Sequence, residues 1–295
     1  MNQISDAFFG SITDNLNYAN MCVLGWNWDQ SSSYRNGAKQ APDFIRQATS
    51  KQLYNQYTIR GNDIIEKWQI FDGGNIELNG FTIKDAQQKV HQTIQNYNKY
   101  DMRFLFLGGD HLTTYFTVKS YILETQDSIG ILYFDAHPDL YDIYGANKYS
   151  HACTLRRIID ECRIDTNLIY QIGIRSSTPE QDNYAKEQNI TTFSTADIKT
   201  KGSREIAKEI KNKLPKKTNL YLSFDMDILD PAFAPGVGNP EPGGLSTFEV
   251  LELLQNLQAI NIIASDIVEL NPQYDPTAIT AFTSAKIIQE MLEII

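Results

Sequence analysis

Four short apolar runs in this chain end directly on acidic or histidine-bearing segments. Leu105-Phe106-Leu107 leads into Gly108-Gly109-Asp110-His111, Leu132-Tyr133-Phe134 into Asp135-Ala136-His137-Pro138-Asp139, Leu222-Ser223-Phe224 into Asp225-Met226-Asp227, and the run from Ala264 to Val268 into Glu269. Side chains two apart on an extended backbone point the same way, so Asp135, His137 and Asp139 share one side, as do Asp225 and Asp227. Gathered without partners, so many acids would repel one another and raise their own pKa values, a cost that bound cations remove. Six candidate ligands, His111, Asp135, His137, Asp139, Asp225 and Asp227, exceed what one ion needs. They fit two ions about 3.5 to 4 Å apart that share bridging carboxylates. Oxygen-rich ligation with one imidazole per ion, and no cysteine, favours manganese over structural zinc.

Taken singly, an Asp or His at a strand end is commonly a cap or turn residue, because its side chain accepts nearby backbone N–H groups. The joint occurrence decides for a metal: three of the four histidines, His111, His137 and His151, fall in or just after these segments. The fourth, His91, sits in a polar helix-period segment and receives no role. Gly108 and Gly109 are expected to allow a tight turn. There is no GxxxxGK[ST] and no GxSxG, and the glycine run after Pro235 does not pass from a strand straight into a helix, which sets aside phosphate-loop, serine-hydrolase and dinucleotide readings.

The elements that must position these residues alternate. Apolar runs at Met21 (MCVLGW), Arg103 (RFLFL), Ile129 (IGILYF), Leu168 (LIYQIG), Asn219 (NLYLSF) and Ile262 (IIASDIV) read as buried strands. Between them, KDAQQKVHQTIQNYNKY, SREIAKEIKNKL and STFEVLELLQNL carry helical periodicity, the last opening with Ser246 and Glu249 in capping-box spacing. This alternation predicts an α/β fold: three αβα layers around a mostly parallel central sheet. In such a sheet the carboxyl ends of the strands lie along one edge, where ligands bind, so distant segments converge there. No long linker, low-complexity tract or repeat marks a boundary, and residues 1–295 read as a single domain. The apolar loop from Pro231 to Gly244 is expected to be ordered beside a site.

Composition narrows the partners. The 295 residues carry 26 basic and 36 acidic side chains, a formal charge of −10, which disfavours nucleic acid and weakly favours small cations. No apolar run reaches the 18 or more residues of a membrane span, and the N-terminal MNQISDAFFGSITDN lacks a basic, then apolar, leader pattern. Three cysteines without CxxC spacing suit a reducing compartment, and the expected location is cytoplasmic.

GGDH at 108–111, DAHPD at 135–139, SFDMDILDP from Ser223, APGVGNPEPGGL from Ala234 and SDIVELNP from Ser265, with a weaker echo in GAKQAPDFIR from Gly37, resemble the ureohydrolase family, the arginase and agmatinase group. The resemblance covers nearly the whole chain after about residue 20. It implies the arginase/deacetylase-like fold and a binuclear manganese centre that cleaves guanidino compounds by attack of a metal-bridging hydroxide. It also implies two ions per subunit. His111, Asp135, Asp139 and Asp225 would hold one, Asp135, His137, Asp225 and Asp227 the other, with Asp135 and Asp225 bridging. Asp139 would also orient the hydroxide, Glu269 would pair with the guanidinium, and His151 would shuttle a proton to the departing amine. Trimers or hexamers are a further implied property.

The stretch DLYDIYGANKYSHACTLRRI lacks the Asn-Thr and Ser-Gly-Asn signals that arginases use to hold an amino acid head group, and looks like agmatinase-type sequence. Agmatine, cleaved to putrescine and urea, is the expected substrate, a step of polyamine biosynthesis. Guanidinobutyrase, formimidoylglutamase and arginase activities are alternatives within the family. A zinc amidohydrolase of the deacetylase type, or a non-catalytic relative, would lie outside it. Two departures from the family pattern, Gly25-Trp26-Asn27-Trp28-Asp29 and Leu112 after GGDH, leave the ligands intact; Trp26, Trp28 and Tyr144 are candidates for the pocket mouth or, equally, for core or subunit contacts.

Overall fold

The computed structural model describes residues 8, 13–50, 54–125 and 129–295. Most of the N-terminal segment that was read for a leader pattern, residues 1–7 and 9–12, lies outside the described residues. Among those described, eight strands join one sheet: β1 (Met21–Asn27), β2 (Ile70–Glu77), β3 (Arg103–Leu107), β4 (Ile129–Phe134), β5 (Ile169–Ile174), β6 (Thr191–Ser194), β7 (Asn219–Asp225) and β8 (Asn261–Val268). Their order is β2-β1-β3-β8-β7-β4-β5-β6, and every pairing is parallel. The expected mostly parallel sheet is wholly parallel. No described helix is long and apolar enough to cross a membrane.

Helices cover both faces: α1 (Ala41–Ala48), α2 (Ile64–Lys67), α3 (Ile83–Asn98), α4 (Leu112–Thr125), α5 (Thr154–Glu161), α6 (Pro179–Glu187), α7 (Thr195–Lys201), α8 (Ser203–Lys213), α9 (Thr247–Asn256) and α10 (Ile279–Ile294). Strand alternation divides the core in two. Leu105, Leu107, Leu132, Phe134, Leu222 and Phe224 pack with α8, α9 and α10 on one face. Phe104, Phe106, Ile131, Tyr133 and Tyr221 pack with α3, α4 and α5 on the other. Ser246 and Glu249 form the expected capping box at the start of α9, and Ser194 with Asp197 forms a second at α7.

The glycines of GGDH do other work than expected. Neither Gly108 nor Gly109 has a positive φ, so no left-handed turn is involved. A Cβ at Gly109 would lie 1.7 Å from the carbonyl oxygen of Trp28, and one at Gly108 would lie 2.5 Å from Val268 Cγ1. Bare backbone lets the loop after β1 press against the end of β3, where Asp110 N–H donates to Trp28 O at 2.9 Å. Trp26 and Trp28 are 1% exposed, Trp26 stacked on Phe106 and Trp28 edge-on to Phe116. Both tryptophans belong to the core and not to a pocket mouth.

Candidate metal centre

The four chemistry-bearing strands are the four central neighbours in the sheet, β3-β8-β7-β4. Their carboxyl ends open into a pocket of about 400 Å³ lined by His111, His137, Asp139, His151, Asp225, Asp227 and Glu269. Parallel pairing makes this convergence unavoidable, since every strand delivers its last residue to the same edge.

Two ligand clusters share one carboxylate. His111, Asp135 and Asp139 form the first, and Asp135, His137 and Asp227 the second. His111 Nδ1 lies 3.0 Å from Asp225 Oδ2, 3.1 Å from Asp135 Oδ2 and 3.3 Å from Asp139 Oδ2. His137 Nδ1 lies 3.0 Å from Asp227 Oδ2 and 3.5 Å from Asp135 Oδ1. Asp135 thus turns one oxygen to each cluster. Asp225 joins the first through Oδ2, while its Oδ1 accepts the Asp227 N–H at 2.7 Å.

The donor set fits divalent cations. Asp135 Oδ2 is buried and accepts no hydrogen bond, His111 Nδ1 lying 3.1 Å away without the alignment for one, a costly condition for a carboxylate oxygen unless a cation faces it. The electrostatics agree. Burial, with Asp135 beside it, pushes the Asp139 carboxyl up to about 7. Burial, Asp227 and Asp135 hold Asp225 well above the usual carboxylate range. Burial opposes charge on His111 and His137, yet Asp135 and Asp225 around the first and Asp227 and Asp135 around the second raise both rings well above their ordinary value. Asp227 alone is held low, because His137 outweighs its burial. Protons here occupy the place of cations.

His151 and Glu269 meet at one side of the pocket. His151 Nδ1 and Glu269 Oε1 are 2.8 Å apart, and Oε1 also accepts the His111 backbone N–H at 2.8 Å. Oε2 faces Gly238, where a Cβ would come within 3.1 Å of it. The ring of His151 feels opposed forces. Glu269 outweighs burial and raises it to about 9, whereas the Ser33 N–H, aimed at Nε2 from 3.1 Å, requires a lone pair there.

Several residues that sequence reasoning passed over complete the site. Tyr133 stacks on the His111 ring at 4.6 Å between centroids and donates its hydroxyl to Asp139 Oδ2 at 2.8 Å. Asp110, fully buried, accepts the N–H groups of Ser31 and Leu112 and so ties the β1 loop to the start of α4. Burial and Glu269 raise its carboxyl to about 8. Glu241, Tyr34, Tyr141 and Tyr144 line the outer pocket. Of the proposed mouth aromatics only Tyr144 is there, 42% exposed. His91, given no role, pairs with Glu124 away from the pocket.

Residues 19–293 match the arginase family. The chain is 31% identical to a guanidinobutyrase of Pseudomonas aeruginosa over 91% of this chain and 84% of that protein. It is 32% identical to an agmatinase of Blochmanniella floridana over 92% and 86%. The solved structure of proclavaminate amidino hydrolase from Streptomyces clavuligerus superposes with a TM-score of 0.88 at 29% identity, covering 97% of this chain and 95% of that one.

Proposed function

This chain belongs to the arginase family and is a hydrolase acting on guanidino C–N bonds, and from that premise we propose that it cleaves agmatine to putrescine and urea with two Mn²⁺ ions. Family membership removes the deacetylase-type alternative. It does not choose the substrate, since relatives named for different guanidino compounds are equally similar.

The observation that carries agmatine is the charge of the outer pocket. Its described lining holds Glu241 and three tyrosines, Tyr34, Tyr141 and Tyr144, and neither a lysine nor an arginine. A substrate with a cationic far end finds a carboxylate and aromatic faces there. A guanidino acid would bring its carboxylate against Glu241 with no cation among the lining residues, the nearby Arg175 being engaged by the Glu241 carbonyl and Arg35 lying over the Tyr34 ring. The hydroxyls of Ser176, Ser177 and Thr178, also in the lining, favour a guanidino acid as the second reading, because they can donate to a carboxylate.

His111, Asp135, Asp139 and Asp225 would hold one ion, and Asp135, His137 and Asp227, with Asp225, the other. Divalent ions bound there supply an activated water near neutral pH. The remaining tasks fall to side chains. Glu269 Oε2 can take the guanidinium N–H groups, a fit of carboxylate to planar fork. Asp139, steadied by Tyr133, can accept a hydrogen bond from the attacking water. As the C–N bond breaks, the alkyl amine needs a proton. Glu269 engages His151 Nδ1, so Nε2 is the nitrogen that can deliver it, once Ser33 yields its place.

Three buried free thiols, Cys22, Cys153 and Cys162, support placing the enzyme in a reducing cytoplasm. We further propose a homo-oligomer, the assembly that the family resemblance implies.

The test is urea release by Mn²⁺-loaded protein with agmatine, arginine and guanidinobutyrate side by side, and formamide release from formiminoglutamate. Agmatine should lead in kcat/KM by at least tenfold. Glu241→Gln should raise KM for agmatine and leave kcat within about twofold, as expected for a contact shared by ground and transition states. A guanidino acid in the lead would establish the second reading.

A further inference from the structure

Asp266 is a carboxylate in β8, 1% exposed, with β3 and β7 on either side. Burying such a group at the centre of a sheet is costly unless it is fully hydrogen-bonded. Here three hydroxyls reach it: Tyr221 at 2.6 Å and Thr114 at 2.8 Å to Oδ2, and Ser223 at 2.8 Å to Oδ1, with Phe224 N–H a further donor at 3.3 Å. None is needed to hold α4 or β7, whose backbones are already paired. Two of them stand beside His111. Thr114 lies one helical turn beyond it, and Ser223 Oγ lies 2.9 Å from His111 Nε2.

We propose that Asp266, acting through Ser223, is a positioning residue that dictates which nitrogen of His111 faces the metal-binding carboxylates. The relay rests on the metal-centre reading but on no particular substrate. Every group that reaches Asp266 is a donor, Thr114 and Tyr221 giving their own hydrogens to Oδ2, so Ser223, though also 3.2 Å from Thr114 Oγ1, spends its one hydroxyl hydrogen on Oδ1. Its oxygen is then left as an acceptor toward His111, and His111 must carry its hydrogen on Nε2. Once a cation displaces the protons of the stripped site, the ring's lone pair is thereby set on Nδ1, the atom within 3.0 to 3.3 Å of Asp225, Asp135 and Asp139, with the Tyr133 hydroxyl 3.2 Å from it across the stacked rings. Stacking of Tyr133 at an interplanar angle of 3° fixes the ring plane. Parallel register supplies the relay, for Ser223 and Asp266 are direct cross-strand partners and Ser223 precedes Asp225 by two residues on the same side of β7. His137 is differently placed. Its ring lines the pocket and meets Asp135 and Asp227. The two metal positions are therefore unequal, and only the first is preset from behind.

Asp266→Asn is the informative lesion. An amide can donate to Ser223, which then turns its hydrogen toward His111 and favours hydrogen on Nδ1, where a ligand lone pair is required. Chelator-stripped protein titrated with Mn²⁺, with free ion counted by electron paramagnetic resonance, should show two binding steps. In Asp266→Asn one step should weaken 10- to 100-fold, the range for lost outer partners of ligating histidines, and the other should stay within about threefold. Ser223→Ala should do the same where the Asn variant folds poorly, and Ser223→Thr should restore binding. A second readout uses Zn²⁺ as a diamagnetic probe. Ring ¹⁵N shifts of His111, identified by their loss in His111→Gln, should report ligation at Nδ1 with hydrogen on Nε2. Equal weakening of both steps, no weakening, or a ring ligated through Nε2 would overturn the relay alone. A wild-type protein that binds no Mn²⁺ would overturn the metal centre and the relay together.

Discussion

Asp139 and Glu269 share a property that their chemistry alone does not require: both adopt positive φ, 52° and 64°. Left-handed backbone costs a residue with a side chain about 1 to 2 kcal/mol, and such strain is commonly kept where a site needs it. Here it turns each carboxylate back over a strand end into the pocket. Asp139→Gly and Glu269→Gly should each be more stable than the corresponding Ala variant by about 1 kcal/mol, the reverse of the usual order inside regular structure. Chemical denaturation checks this, and Ala at least as stable as Gly would show that the strain is not there. Neither replacement at Asp139 should retain full metal binding. At Gly238 the consequence is steric. Alanine there would crowd Glu269 Oε2, so Gly238→Ala should raise KM across all guanidino substrates, whereas Glu241→Gln should discriminate by the far end of the substrate.

At the scale of elements, the close approach of the β1 loop to Gly109 is the most exposed to mutation. Gly109→Ala forces backbone away from backbone and should cost more than ~2 kcal/mol. Because that loop carries Ser33, activity should fall further than the loss of folded protein explains, a comparison made by melting curves and rates on one preparation. The strands that matter for chemistry were legible because each is a central strand, buried on both faces and mostly apolar, and ends in polar ligands. The two that went unread, β2 and β6, are the sheet's edges. β2 reads IFDGGNIE and is half-buried along most of its length, and β6 is only four residues, so neither carries a continuous apolar run. Of the helices, only α3, α8 and α9 were legible, and among the others α10 was hidden for the opposite reason: it is buried nearly all round and shows no polar stripe. In the site, the ligands were legible as an anomaly of composition. Tyr133 and Ser223 were not, although each stands two residues before a ligand, because a hydroxyl inside an apolar run resembles ordinary strand filling until its partner across the sheet is known. Asp266 lies in mid-strand and not at a strand end, where a single acid gives no sign of the hydroxyls that meet it from β7 and α4.

The molecule as a whole should reveal its metal through the pH dependence of its stability. Asp139 raised to about 7 and Asp110 raised to about 8 bind protons more tightly folded than unfolded, where their ordinary value is 3.8. Their contribution to the stripped fold is complete below about pH 4 and is lost as pH rises through 7 to 8. His111 and His137, raised above 6.5, add to the loss at the upper end of that range. Asp227, shifted down, acts only below pH 4 and does not change the sign. Metal binding runs the other way, because ligands must shed those protons first. The Tm gap between Mn²⁺-loaded and chelator-treated protein should therefore widen steadily from pH 5 to pH 8. A gap independent of pH would mean that the ions do not replace protons at these residues.

The position of β8 has a further consequence, one of timing. It is the last described strand in sequence, yet it lies between β3 and β7 and is all that joins β2-β1-β3 to β7-β4-β5-β6. A ribosome emits the two half-sheets first, each with a raw inner edge, and the strand that seals them last. Pairings this distant in sequence are slow and leave edges open to wrong partners meanwhile. Until residue 269 has emerged no nascent chain can own the finished pocket, so hydrolytic competence is acquired only after the strand that closes the sheet has left the exit tunnel.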